Sequence, residues 1–208
     1  MKRLLMGPAI LLTLAFCGAL WVVRAAPRDD RALRAFFAAP DDCARPCWQG
    51  IRPGATLLEG ALAILRAHPW VRHITLQADI ISSDPTAALW WDWSGRQPAY
   101  IDATTDGRLT ASQGVVEYIV VSTTVPMGDA RAVLGPPLRG KLEKDAVMSR
   151  RVLHLALYED LGVQNLIDCP IRVADLWREP AQIELYGNWA TAGLEPYALA
   201  DWLADPPC

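Results

Sequence analysis

The chain has 208 residues, 52% of them hydrophobic, with nine tryptophans and 16 prolines, which is enough material for a substantial core. It holds 20 basic and 23 acidic residues, for a formal charge of −3. Lys2, Arg3 and Arg24 fall in an apolar leader, leaving 17 basic residues against 23 acidic ones, near −6, with no Lys/Arg run; nucleic acid and anionic lipid surfaces are thereby excluded as expected partners.

Leu4 to Val23 form an uncharged apolar run behind Lys2 and Arg3. At 1.5 Å per residue, about 20 residues cover about 30 Å, the thickness of a bilayer core. Val23 and Ala25 also suit positions −3 and −1 of a signal-peptidase site. Residues 1–26 are therefore expected to be a signal peptide or an uncleaved N-terminal membrane anchor. Lipidation at Cys17 is a lesser alternative, because Phe16 is bulky for the position before a modified cysteine. Arg24, Arg28, Arg31 and Arg34 would favour a cytoplasmic C-terminal side. Export is still preferred, because the downstream cysteines and tryptophans resemble an oxidised extracellular domain. The expected location is extracytoplasmic, secreted or anchored by the N-terminal segment.

Residues 27–46, rich in Pro, Asp and Ala, read as a spacer. Cys43, Cys47, Cys169 and Cys208 follow the leader, and an even count in an exported chain implies two disulfides, with three connectivities open. Cys43 and Cys47 have no second close Cys/His pair to complete a zinc site. Cys208, as the last residue here, would staple an end that otherwise frays.

Gly50, Pro53 and Gly54 mark a turn, and Thr56 with Glu59 spells a capping box for a helix over 57–67. Leu58, Ala61, Leu62 and Leu65 form its apolar stripe. Strands are expected over 73–80, 88–94, 100–104, 108–112 and 115–123, with Asp106-Gly107 as a two-residue hairpin turn. A short helix from Pro126 to Leu134 stops at Gly135-Pro136-Pro137. The charged stretch 139–145 reads as a loop. Strands over 152–158, 163–167 and 183–186 and a closing helix over 197–203 complete the chain. The fold class is α+β: antiparallel sheet with short helices packed on one face. Helix, strands, helix, strands suggests two similar tandem halves, 47–124 and 125–208.

Gly54-Ala55-Thr56 and Leu134-Gly135-Pro136-Pro137, each tied to a short helix and a strand meander, resemble the BamE/SmpA lipoproteins and the β-lactamase-inhibitory-protein-like group. The opening Pro46-Cys47-Trp48-x-Gly50-Ile51-x-Pro53-Gly54-x-Thr56 is similar to that of an uncharacterised set of exported bacterial proteins. The resemblance spans about two dozen residues. It implies small helices on an antiparallel sheet and non-catalytic work, either scaffolding envelope assemblies or gripping another protein.

Motifs for catalysis are missing: the chain has no Gly-x-Ser-x-Gly, Ser-x-x-Lys, His-Glu-x-x-His or phosphate loop. His68 and His73 flank Pro69 and cannot share a helical face, while His154 is expected on the exposed side of its strand. Asp79 or Asp84 would have to complete any metal site, and none is expected, nor any cofactor. Ser82-Ser83-Asp84 reads as a turn, and Asp92 with Asp102 is a weak carboxylate pair. The stronger signal is Trp90-Trp91-Asp92-Trp93. Alternation sets Trp91 and Trp93 on one face and Trp90 with Asp92 on the other, and one face must be core. The outward pair is the candidate binding surface. The expected function is an exported or anchored binding module for an envelope or extracellular protein. A carbohydrate- or cell-wall-binding module is the alternative, and an envelope hydrolase is a more distant one.

Overall fold

Alternating apolar and polar residues recur along the chain, and they build a sheet. The computed structural model describes residues 16, 18, 30–38, 40, 43–79, 86–145, 150–189 and 193–208. Contacts divide the chain into Met1–Ala32 and Leu33–Cys208. In the first unit Phe16 and Gly18 are helical and Phe16 is exposed. The rest of the expected leader, Cys17 included, lies outside the described residues, as do Ser82-Ser83-Asp84. Among the described residues no helix is long and apolar enough to cross a membrane.

Strands β1 (Val71–Asp79), β2 (Thr86–Trp93), β3 (Gly107–Ser112), β4 (Val115–Pro126), β5 (Arg139–Lys144), β6 (Arg151–Tyr158), β7 (Leu161–Asp168), β8 (Pro180–Tyr186) and β9 (Glu195–Pro196) form one sheet. Its order is β1-β2-β3-β4-β8-β7-β6-β5-β9, and every neighbouring pair is antiparallel. The helices are α1 (Arg31–Phe37), α2 (Leu58–Ala67), α3 (Met127–Leu134), α4 (Asp175–Arg178) and α5 (Leu199–Ala204). The α+β, sheet-rich class expected from the sequence is the class observed.

The core lies between the helices and one face of the sheet. Ala61 and Leu65 of α2 pack with Leu89, Trp91, Leu109, Ile119, Ile183 and Leu185 from the strands beneath. Met127 and Ala130 of α3 pack with Ala156, Val163 and Ala181. Within the stretch expected as a spacer, the described residues Phe36 and Phe37 of α1 pack against these clusters, and Arg34 donates to the Val133 carbonyl at 2.8 Å. Cys43 bonds Cys47 and Cys169 bonds Cys208, which settles the open connectivity. Such bridges suit an oxidising, extracytoplasmic setting.

Several local expectations are corrected. Thr56 does not cap α2; its hydroxyl accepts the Arg52 amide at 2.8 Å to close the preceding turn, and Leu57 is the N-cap. Tyr100 to Thr104 is no strand, because Asp102 Oδ1 accepts from both the Thr104 amide and hydroxyl, folding the segment into a local turn. Gly107 is therefore not a hairpin residue. It opens β3 opposite Trp91, where a β-carbon would overlap the indole. The tight turn is Gln113-Gly114, both left-handed at φ 50° and 78°. Arg139 to Lys144 is strand β5 rather than a loop, its charges suiting a position near the sheet edge.

Candidate functional site

Trp91 and Trp93 point into the core. Trp48 stacks on Trp91 at 5.3 Å, Trp93 meets Trp91 edge-on at 5.8 Å, and Trp93 Nε1 donates to the Thr105 carbonyl. Trp91 Nε1 is buried without an acceptor among the described residues. That costs about 1–3 kcal/mol. Burying roughly 200 Å² of aromatic surface at about 25 cal/mol per Å² returns about 5 kcal/mol, so packing wins. These two rings are thus removed from the candidate surface. Trp90 and Asp92, their neighbours in sequence, project from the opposite face, where Asp92 accepts from Arg72 at 3.2 Å.

Among the described residues no helix packs on that opposite face, as is common for antiparallel sheets. Register lines up one row across it: Thr75, Trp90, Arg108, Val120, Glu184 and Gly162. The row beside it carries an aromatic stack. Arg108 lies over the Tyr118 ring at 5.7 Å, Tyr118 stacks on Tyr186 at 5.1 Å, and Tyr186 meets Trp189 at 4.7 Å. On the other side of Glu184 runs an amide ladder. Gln164 donates to Gln182 Oε1 at 3.1 Å, and Gln182 donates to Ser122 Oγ at 3.0 Å. After β8, Trp189 and Leu194 lie on the same face and pack against Leu155 and Leu157.

Burial raises the Glu184 carboxyl to about 7, while the positive charges of Arg108 and Lys141 pull the other way. Burial also raises Tyr186, with the Glu184 and Tyr118 charges adding. The sequence alone does not single out Glu184, Tyr186, Tyr118 and Arg108. Their alternation with Ile183, Leu185 and Leu109 was the available signal. Trp189 sits in a connection and offered none.

The remaining candidates make local contacts within the fold. His154 is buried, not exposed as expected: Nδ1 lies 3.1 Å from Asn165 Oδ1 and Nε2 lies 2.8 Å from the Tyr197 hydroxyl. Asn165 donates its amide to the Leu176 carbonyl, so its oxygen faces the imidazole. Nδ1 therefore carries the proton, and Nε2 accepts from Tyr197. Burial holds His154 down to about 4. His68 is half-buried against Trp70, and Asp102 is engaged in its own turn. On the helix side a cavity of about 420 Å³ opens between Phe37, Trp48, Tyr158, Leu161 and Ile183, with the Arg45–Glu159 ion pair at its rim.

Set beside known proteins, the chain matches no family model, no curated protein and no solved structure.

Proposed function

We propose that the chain is an exported or membrane-anchored, non-catalytic binding module that holds a protein partner on the helix-free face of its sheet. The observation that carries this reading is the contiguous aromatic and charged surface made by Trp90, Arg108, Tyr118, Tyr186 and Trp189. Aromatic and arginine side chains of this kind dominate protein-binding hot spots. The leader and the two disulfides support an extracytoplasmic setting.

A second element of the reading is duplication into halves 47–124 and 125–208. In its support, α2 precedes β1 to β4 and α3 precedes β5 to β8, and the last strands of the two runs, β4 and β8, pair with each other. The resemblance to the BamE/SmpA and β-lactamase-inhibitory-protein-like group points the same way.

A glycan remains the alternative, and the stack argues against it. The rings of Tyr118 and Tyr186 lie 17° from parallel and turn their faces to each other, with Arg108 over the Tyr118 ring and Trp189 tilted against Tyr186 at 49°. A sugar needs a free flat face, and of this group only Trp90 has no ring partner among the described residues. The test is capture from an envelope extract with the oxidised chain as bait. A protein held by the native chain and lost with Trp90→Ser supports the reading. Glycan retained by both, with no protein, would replace it with the alternative.

A further inference from the structure

Glu184 is held on the binding face with its carboxyl unmatched. Its pairing with Val120 and Gly162 fixes the side chain opposite Ile183 and Leu185, and only 7% of the residue is exposed. Among the described residues no donor bonds this carboxyl. The polar groups around it make other contacts: Gln182 with Ser122, Gln164 with Gln182 and Lys141 with Glu143 at 2.6 Å, while Arg108 lies over the Tyr118 ring. The carboxyl oxygens nevertheless touch solvent, since among the described residues the buried polar side-chain atom sealed away without a partner is Trp91 Nε1. Beside them Tyr186 and Trp189 form an aromatic wall, the indole lying over bare Gly162.

We propose that Glu184 receives one basic side chain of the protein partner, a lysine ammonium or an arginine guanidinium entering beside Tyr186 and Trp189. The inference rests on the helix-free face being the docking surface. A buried carboxylate without donors is costly, and an incoming cation supplies the charge-assisted hydrogen bonds that the described residues do not. The adjacent rings add cation–π attraction, which strengthens as water is displaced. Arg108 and Lys141 stand close enough to bias the carboxyl without bonding it. They repel a broad basic patch, so the site selects a single cation in otherwise neutral or acidic surroundings.

The test uses N-acetylarginine amide and its uncharged analogue N-acetylcitrulline amide, titrated into the oxidised chain while the Trp189 indole N–H resonance is followed. The arginine probe should shift that resonance saturably, and the citrulline probe should bind at least about tenfold more weakly. Glu184→Gln should erase the difference between them. Equal binding of the two probes, an unaltered preference in Glu184→Gln, or no shift with either probe overturns the proposal. Partner capture separates its failure from failure of the face itself. A partner kept by Glu184→Gln and lost by Trp90→Ser overturns the cation site alone, and a partner kept by both variants overturns both readings.

Discussion

The indole of Trp189 lies across Gly162, so close that a β-carbon on that strand residue would overlap the ring. Gly162 pairs with Glu184, and Trp189 also packs against Tyr186 and the Leu155–Leu157–Leu194 cluster. One missing side chain thus lets Trp189 lie on the sheet and wall the Glu184 site.

Gly162→Ala should force the indole off the strand and destabilise the protein by about 1–3 kcal/mol. In a Trp189→Ala background the same substitution should cost far less, because the overlapping ring is gone. Urea denaturation of the four proteins in this cycle measures the coupling. Equal costs in both backgrounds would mean that the contact does not constrain Gly162.

Glu184 gives stability a pH dependence of unusual sign. The unfolded carboxyl titrates near 4.5 and the folded one at about 7, so between these values the folded state keeps a proton that the unfolded state has lost. Stability therefore falls as pH rises through that window and is level above it, by roughly 3 kcal/mol in all. Glu184→Gln should abolish this slope and be more stable than the native chain at pH 8, as measured by urea unfolding.

His154 works in the opposite direction. Burial lowers it to about 4, the Asn165 hydrogen bond opposes that shift, and the charge of Arg131 adds to it. As pH falls from 6.5 to 4 the unfolded imidazole takes a proton that the folded one refuses, and roughly 3 kcal/mol of stability is lost. Tyr197→Phe should cost about 1 kcal/mol at pH 8 by removing the donor to Nε2. Thermal melts of that variant across pH 4 to 8 check both statements.

Cys169 and Cys208 are separated by 39 residues, and closing such a loop restricts the unfolded chain by about 4 kcal/mol in the entropic account. In Cys208→Ser the C-terminal segment should also loosen locally, since it carries β9, Tyr197 and α5. Hydrogen exchange should rise first in β9 and in its partner strand β5. Uniform loss of protection over the whole sheet would contradict this.

Much of the architecture was legible because local signals agreed. The apolar stripe of α2, the stop at Gly135 and the alternation of 152–158 all mark observed elements. Failures came where tertiary context reverses a local rule. Flanking Leu153 and Leu155 point to an outward His154. On β6, however, Leu155 and Leu157 are covered by Leu194 and Trp189 on one face while His154 is satisfied inside the other. Period two reveals direction only when one face is wet. Asp106-Gly107 looks like a hairpin turn, yet Gly107 is required by the Trp91 ring, a contact between residues far apart in sequence. The site divides in the same way. Trp90 and Asp92 were visible in a dense aromatic string, whereas Glu184 acquires its character only from Arg108, Tyr186, Trp189 and Gly162 around it.

The most direct test of the central claim is photo-crosslinking in the native envelope from single positions on each side of the sheet. A photoreactive residue replaces Thr75 or Thr110 on the helix-free face, and Glu59 or Arg66 on the exposed side of α2. The account predicts one protein crosslinked from Thr75 and Thr110 and absent from Glu59 and Arg66. The same protein crosslinked from α2 but not from the sheet would contradict it.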